Sequence, residues 1–296
     1  MKKDFTFWPA MRGRHIGRPS IWRTFCCAAM WLCATALRAT PVDYTITTTG
    51  NAITITDNKG NGETLTVSES GGNIRFVAPV TRTYIINGIT FANFSTPADV
   101  PLAGVTSITI NTAGGNDNID IGAFSANLPT LTVNGGTGND AVNFNGGITF
   151  APNANLDLNL QNDDANPGAD RVTLNGANLI LSGSGMATIK VSRDIPIIGS
   201  SIATENGHLI LEANQQTTPT SGLFDGIGVS AGEIKFTGTG TLTATGRGGD
   251  ASVGSGRGIH VSSGGKITGG SGMVTVNGTG GASVGNNNIG VLVITS

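Results

Sequence analysis

The sequence predicts an all-β protein, specifically a right-handed parallel β-helix, a solenoid, with an irregular β N-terminal cap. From Tyr44 onward, apolar residues alternate with Thr, Asn or Ser, which is the period of a strand that buries one face. Segment 110–119 recurs as 133–142, an offset of 23 residues, and a later block recurs at offsets of 32 residues. Self-similarity at such periods is typical of stacked repeats.

A 23-residue offset accommodates three short strands and their turns, which is one coil of a β-helix. A β-sandwich also has short alternating strands, but nothing in its topology repeats Asn–Asp at one place in successive units. In the 32-residue block we predict strands at 226–230, 233–237 and 241–245, followed by a Gly/Ser loop at 246–257. The next unit departs from the 32-residue spacing by one residue in its second strand, where Ile267 is the counterpart of Ile234.

Inward columns follow from the alternation. The predicted inward residues are Leu209, Leu211, Leu242, Ala244, Val274 and Val276 on one face, and Ile227, Val229, Ile259, Val261, Val291 and Val293 on another. Stacking these columns would bury a continuous apolar core that no single repeat could form.

Residues 1–39 are predicted to be a signal peptide. A basic lead-in precedes the uncharged apolar stretch 25–37, and small residues follow, the pattern of an export signal. The stretch is too short to span a bilayer. All three Cys lie in this segment, so a mature chain cleaved near Ala36 or Ala39 would be stable without disulfides in an oxidising compartment.

The mature chain divides into two predicted regions. Residues 40–103 carry strands without a clear period and are predicted to be a β cap, because a bare first coil would expose unpaired backbone groups. Residues 104–296 are predicted to be β-helix repeats. The last apolar run, 291–294, falls inside what would be the first strand of another coil. We therefore expect an N-terminal fragment of a longer protein, or stacking on further β-helical repeats.

One corner could bind calcium. Residues 135–143 match the Gly-Gly-x-Gly-x-Asp nonapeptide of calcium-binding β-rolls. The candidate residues for a metal site are Asp140, Gly136, Gly138, Asp117 and Asp120. Only this nonapeptide is complete, so the alternative is a tight corner in which Asn116 and Asn139 stack as a ladder.

Other polar groups form weaker patterns. Asp157, Asp163, Asp164 and Asp170 surround Asn-Pro-Gly and are predicted to lie in a solvated loop or to form at most a weak cation site. His208 and His260 fall at outward strand positions and could form a catalytic pair, but two unrelated surface imidazoles are the more ordinary interpretation. Lys190, Arg193, Asp194 and Glu205 could share one face. No catalytic residue is assigned, and no cofactor beyond calcium.

Acidic residues outnumber basic ones after residue 39, which argues against a nucleic-acid partner. Residues 206–216, 224–229 and 274–281 resemble units of the giant β-strand-repeat surface proteins of Gram-negative bacteria, notably planctomycetes. Those proteins are similar in style to filamentous haemagglutinin-like and autotransporter adhesin passengers. The resemblance covers about residues 104–296. It implies secretion, a β-helical stalk and a role in adhesion or cell-surface architecture.

The predicted function is therefore that of a secreted, non-enzymatic, adhesin-like repeat protein at the bacterial outer surface. It would present an extended surface to a carbohydrate or protein ligand, without an integral membrane segment in the mature chain. The alternatives are a β-helical polysaccharide lyase or hydrolase and a calcium-binding β-roll-like module.

Overall fold

The computed structural model describes residues 42–94, 97–161, 168–250, 256–282 and 288–294. All of them belong to one compact unit, Pro41–Ser296. Within these ranges the chain forms strands and no helix, and the all-β prediction is confirmed. The predicted signal peptide, residues 1–39, lies outside the described residues.

The first part of the unit has seven strands. They are β1 (Tyr44–Thr49), β2 (Ala52–Asp57), β3 (Thr64–Ser70), β4 (Asn73–Val77), β5 (Arg82–Ile86), β6 (Ile89–Phe94) and β7 (Ala98–Pro101). Four of their pairings are antiparallel: β1 with β2, β3 with β4, β4 with β7 and β5 with β6.

The remaining strands pair in parallel. They are β8 (Ser107–Asn111), β9 (Asn118–Ile121), β10 (Thr130–Asn134), β11 (Ala141–Phe144), β12 (Ile148–Thr149), β13 (Leu156–Asn159), β14 (Arg171–Asn175), β15 (Asn178–Ile180), β16 (Ala187–Val191), β17 (Ile195–Ile198), β18 (Ser201–Thr204), β19 (Leu209–Ala213), β20 (Ile227–Ser230), β21 (Glu233–Phe236), β22 (Leu242–Arg247), β23 (Ile259–Ser262), β24 (Lys266–Thr268), β25 (Val274–Thr279) and β26 (Val291–Val293).

The strands form three sheets. The eleven-stranded sheet has the order β25-β22-β19-β16-β13-β10-β8-β2-β1-β5-β6. The ten-stranded sheet has the order β26-β23-β20-β17-β14-β11-β9-β3-β4-β7, and the five-stranded sheet the order β12-β15-β18-β21-β24. Every third strand therefore joins the same sheet from β10 to β25. We call each pass through the sheets a repeat, and this arrangement is consistent with a solenoid-like class.

The sequence offsets correspond to strand registers. Val133 pairs with Ile110 and Val142 with Ile119, so the 23-residue offset is the step between two neighbouring repeats. Ile259 pairs with both Ile227 and Val291, which accounts for the 32-residue offset. The expected one-residue change of spacing does not interrupt the stacking of inward residues in the five-stranded sheet, because Ile234 pairs with Ile267.

The extra residue is absorbed in the turn before β24. Ser263 and Gly264 both adopt positive φ angles there, of 53° and 76°, whereas the turn before β21 has a single such residue, Ala231 at 51°. A turn can lengthen by one residue without moving the strands, because its backbone makes few ladder hydrogen bonds.

The predicted cap contains more of the parallel ladder than its sequence indicates. β2 and β3 lie within residues 40–103, yet they pair in parallel with β8 and β9. β2 and β3 thus already belong to the parallel ladder of the repeats, and β1 also pairs in parallel with β5. The excursion β4–β7 follows β3 and separates this first repeat from the next, which hides its period from a sequence overlay. β1, β5 and β6 cover the free edge of β2.

The core is a column of aliphatic side chains between the sheets. Leu209, Leu211, Leu242, Ala244, Ile227, Val229, Ile259 and Val261 are buried, as predicted. The predicted inward residues of the last repeat are not: Val274 is 40%, Val291 41% and Val293 62% exposed. Among the described residues no strand stacks beyond β25 and β26, so these side chains have no further repeat to cover them.

In the part of the chain that the structure describes, there is no helix that is both long and apolar enough to cross a membrane.

Candidate functional site

The corner between the eleven-stranded and ten-stranded sheets contains a ladder of buried carboxylates. Asp117, Asp140 and Asp170 occupy it in three successive repeats, and they are 5%, 3% and 0% exposed. Each directly precedes a strand of the ten-stranded sheet, two residues before its first inward apolar residue. Parallel stacking therefore places the three carboxylates one above another.

Each carboxylate accepts a hydrogen bond from the backbone of the preceding repeat. Glu63 N–H donates to Asp117 Oδ1 at 2.9 Å, Asp117 N–H to Asp140 Oδ1 at 2.9 Å, and Asp140 N–H to Asp170 Oδ1 at 2.7 Å. Asp170 N–H donates to Ser192 Oγ at 2.8 Å, which ends the ladder. The carboxylates satisfy corner amides that would otherwise be buried without acceptors.

Burial dominates the electrostatics of this ladder. Loss of hydration raises the pKa of Asp117 from its ordinary value to about 7, and the hydrogen bond from Glu63 N–H opposes the rise. The negative charges of Asp57 and Glu63 add to the increase. Asp117 is therefore poised to exchange a proton near neutral pH.

The two glycines predicted to bind calcium line the same corner. Gly136 and Gly138 have φ angles of 81° and 126°. A Cβ at Gly138 would lie 1.5 Å from the carbonyl oxygen of Gly115. The glycines are therefore required by the close approach of neighbouring repeats and by left-handed backbone geometry.

Asp120, the remaining candidate, is placed differently. It lies half-buried on β9 and accepts hydrogen bonds from the side-chain amides of Asn118 and Asn143, both at 3.0 Å. Among the described residues, no three His, Cys, Asp or Glu side chains are grouped so as to hold a metal ion. The calcium site stays a prediction, which calcium titration of the purified chain can test.

The alternative interpretation of this corner matches the hydrogen bonding. Asn139 N–H donates to Asn116 Oδ1 at 2.9 Å, and Ala169 N–H donates to Asn139 Oδ1 at 2.7 Å. An asparagine ladder thus runs beside the carboxylate ladder. Both ladders use side-chain oxygens to join the backbones of neighbouring repeats.

The prediction of a solvated acidic loop is wrong for Asp170, which is buried in the ladder because it starts a repeat. Asp157 is exposed on β13, and Asp163 and Asp164 lie outside the described residues. Sequence reasoning missed the roles of Asp170, Glu63 and Ser192. For Asp170 a signal existed, because the pattern of Asp, any residue and a β-branched apolar residue recurs at Asp117, Asp140 and Asp170.

The two histidines lie on different sheets. His208 precedes β19, and its Nδ1 is 2.8 Å from Thr241 Oγ1. His260 lies on β23 of the ten-stranded sheet, with Nδ1 2.9 Å from Asp225 Oδ2, and Arg257 Nη1 is 3.2 Å from the same oxygen. The structure therefore does not assemble His208 and His260 into one site.

The proposed face of Lys190, Arg193, Asp194 and Glu205 is also dispersed. Lys190 pairs with Glu212 on the eleven-stranded sheet at 3.2 Å. Asp194 pairs with Arg171 at 3.1 Å, and Glu205 Oε2 accepts a hydrogen bond from Gly183 N–H at 2.7 Å. Arg193 Nε lies 3.6 Å from Asp194 Oδ1, so these two neighbours contact each other, whereas Lys190 and Glu205 each interact with a different partner.

The outer surface of the five-stranded sheet is the best candidate for ligand binding. It contains two adjoining open depressions, of about 420 and 510 Å³, which share Asn178 and Ser201. Glu233 and Lys266 line the first depression, and Ile180 lines the second. We call these two depressions the groove. It crosses β15, β18 and β21, so successive repeats contribute to it.

The groove combines polar and apolar surface and is nearly balanced in charge. Lys235 Nζ lies 2.6 Å from Glu233 Oε2, and this hydrogen-bonded ion pair holds the pKa of Glu233 below its ordinary value. Ser201 Oγ donates to Asn178 Oδ1 at 2.8 Å. Ile180 is 46% exposed beside these groups. Hydroxyl, amide and aliphatic groups together suit an extended ligand rich in hydroxyl groups.

Comparisons with known proteins do not supply a family from which a ligand could be inferred. Neither protein-family models, nor curated proteins, nor solved structures include a match to this chain.

Proposed function

We propose that this chain is a secreted, non-enzymatic surface protein whose right-handed parallel β-helix presents an extended face for adhesion or for cell-envelope architecture. The single observation that carries the proposal is the groove on the five-stranded sheet. It is built from equivalent positions of successive repeats, so its length grows with the number of repeats, as a binding surface for a polymer requires.

The charges of the described residues support a binding role over a catalytic one. General acid–base catalysis requires ionisable side chains that converge on one substrate position. Glu233 is instead neutralised by Lys235, and Asp194 by Arg171. The lyase or hydrolase alternative would need free carboxylates and cations on one face. In the groove, Lys235 pairs with Glu233, and Glu205 accepts a hydrogen bond from Gly183 N–H.

The ligand class that fits the groove is a neutral or weakly charged polysaccharide of the cell surface. Side-chain hydroxyl and amide groups such as those of Ser201 and Asn178 both donate and accept hydrogen bonds. A strongly charged polymer of either sign would find no matching field at the groove, since Glu233 and Glu205 are accompanied there by Lys235 and Lys266.

The test is binding of the purified chain to immobilised neutral and uronate polysaccharides. We expect retention on a neutral polysaccharide, and we expect Ser201→Tyr to weaken it at least tenfold by filling the groove. Thr173→Tyr is the matched control, because Thr173 lies half-buried on the outer face of the ten-stranded sheet. Equal losses in both variants would contradict the groove as the binding site.

The same preparation distinguishes the enzymatic alternative. Incubation with a uronate polysaccharide should leave its chain length unchanged. Depolymerisation that is lost when Glu233 or Lys235 is changed to Ala would replace the adhesin proposal with a lyase or hydrolase.

A further inference from the structure

The two depressions of the groove differ in chemistry. The first lies over the turns that precede β18, β21 and β24, where glycine, serine and charged residues line it. The second lies over the C-terminal parts of β15, β18 and β21, and most of its surface is apolar. A ligand that fills both depressions therefore presents polar groups to the first and an apolar group to the second.

Parallel pairing forms an apolar strip in the second depression. Ile180 pairs with Ala203, and Ala203 pairs with Lys235 in the next repeat. Neighbouring strands lie about 4.8 Å apart, so the side chains of Ile180 and Ala203 are adjacent. Ile180 is 46% exposed and Ala203 is half-buried. The strip is therefore accessible to an apolar group of a ligand.

Hydrogen-bond donors lie beside this strip. Asn178 is exposed and lines both depressions. Its Oδ1 accepts the Ser201 hydroxyl at 2.8 Å, whereas its side-chain nitrogen donates no hydrogen bond within the described part of the chain. Lys235 Nζ donates to Glu233 Oε2 at 2.6 Å, which uses one of the three N–H groups of the ammonium. Both side chains thus have N–H groups available to a ligand.

Glu205 provides a hydrogen-bond acceptor at the second depression. It is exposed, and its Oε2 accepts Gly183 N–H at 2.7 Å. Its other oxygen, Oε1, has no partner among the described residues. Glu233 differs, because Lys235 occupies its Oε2 and the Thr268 hydroxyl donates to its Oε1 at 3.2 Å. Glu205 is therefore the carboxylate that can accept a hydrogen bond from a ligand.

These three features match the parts of an acetamido group. Such a group has a methyl, a carbonyl oxygen that accepts hydrogen bonds and an N–H that donates one. The apolar strip fits the methyl, Asn178 or Lys235 can donate to the carbonyl, and Glu205 can accept from the N–H. A sugar hydroxyl in the same place would leave the apolar strip without an apolar partner.

We propose that the groove binds a polymer of N-acetylated hexosamines, with the acetamido group of one sugar in the second depression. This inference rests on the proposed function and narrows its ligand class from neutral polysaccharides to those that carry acetamido groups. The hydroxyl groups of the sugar face the first depression, where Ser201 and the turns of successive repeats provide polar partners.

The test is calorimetric titration of the purified chain with two hexasaccharides of the same linkage. Chitohexaose carries an acetamido group where cellohexaose carries a hydroxyl. We expect chitohexaose to bind about tenfold more tightly, which is the contribution of one methyl-sized group in an apolar site. Equal affinities would overturn the acetamido assignment and leave the proposed function standing. Failure of both sugars to bind would contradict the proposed function itself.

A third ligand separates the methyl group from the nitrogen. The chitosan hexamer replaces each acetamido group by an ammonium and keeps the sugar backbone. We expect it to bind more weakly than chitohexaose, because a charged group gains nothing from the apolar strip. Affinity equal to that of chitohexaose would overturn the role of the strip.

A matched pair of variants locates the preference. Ile180→Thr shortens the exposed aliphatic side chain and keeps a β-branched residue on β15. We expect the preference for chitohexaose to disappear while the affinity for cellohexaose is unchanged. Ile198→Thr is the control, because Ile198 on β17 is 47% exposed and lines neither depression. An unchanged preference in Ile180→Thr, or an equal loss in both variants, would overturn the proposal.

Discussion

The corners between the eleven-stranded and ten-stranded sheets are built differently in the early and late repeats. In the early corners the carboxylates of Asp117, Asp140 and Asp170 accept the backbone N–H groups. In the late corners glycines, Gly226 and Gly258, precede the strands, and the carboxylate of Asp225 is partly exposed and ion-paired: its Oδ1 accepts Arg257 N–H at 3.0 Å, and Arg257 Nη1 lies 3.2 Å from its Oδ2.

Both kinds of corner must supply acceptors for buried amides, but they are sensitive to different changes. A buried amide must find an acceptor in either case. The carboxylate design brings charge into the interior and makes the early corners dependent on proton binding. The glycine design lets backbones approach closely and makes the late corners intolerant of any side chain.

The largest expected effect comes from filling a late corner. A Cβ at Gly258 would lie 2.3 Å from Thr279 N and 2.6 Å from the carbonyl oxygens of Gly246 and Gly290. Since only backbone atoms surround it, we expect Gly258→Ala to lower the free energy of unfolding by about 4 kcal/mol or to prevent folding. Chemical denaturation followed by circular dichroism measures this loss.

Gly228→Ala is the matched control, because no atom lies within 4 Å of the added methyl group. We expect a change within about 0.5 kcal/mol. Equal losses for Gly228→Ala and Gly258→Ala would show that strand flexibility, and not corner packing, explains the need for glycine.

A smaller loss of stability is expected when one carboxylate of the ladder is removed. Asp140→Ala would leave Asp117 N–H buried without an acceptor and would open a small void, at a cost of about 2 kcal/mol. Urea denaturation can measure the cost. Asp157→Ala removes an exposed carboxylate and should be nearly neutral, so equal effects of the two substitutions would contradict the ladder.

Stability should also depend on pH. The pKa of Asp117 is raised to about 7 in the folded chain, whereas an unfolded Asp titrates near 4. Between about pH 4 and pH 7 the folded state therefore binds more protons, and this group's contribution to stability falls as pH rises through that window. Below about pH 4 its contribution is complete.

Melting temperatures of wild type and Asp117→Asn, recorded from pH 4 to pH 8, check this dependence. The wild type should lose stability relative to Asp117→Asn as pH rises, because Asn keeps an oxygen acceptor but cannot ionise. A constant difference across the range would mean that Asp117 does not change its protonation between the folded and unfolded states.

Much of the architecture was predictable because it is local or periodic. The alternation at Ile53–Ile55 indicates a strand that buries one face, whichever strand it pairs with. The offset that relates Ile110 to Val133 requires equivalent positions in neighbouring repeats, and the structure pairs those two residues. The same logic failed for β2 and β3, since the excursion β4–β7 interrupts the period.

The candidate site was less predictable. The Gly-Gly-x-Gly-x-Asp pattern was recognisable at Asp140, but a pattern cannot show whether a carboxylate faces an ion or a backbone amide. The groove depends on the turns after Asn175, Ile198 and Ser230, which bring β15, β18 and β21 into one sheet. None of its residue types is distinctive in the sequence.

By itself the sequence determined the all-β class, the two repeat lengths and most of the inward columns. Side-chain alternation is a local pattern, and the repeat length follows from the offset between similar segments. Only the tertiary structure decided where parallel pairing begins, how a turn absorbs the extra residue before Ile267, and which way the corner carboxylates point. These features depend on backbone groups from different repeats, and a buried N–H acquires its acceptor only when the repeats stack.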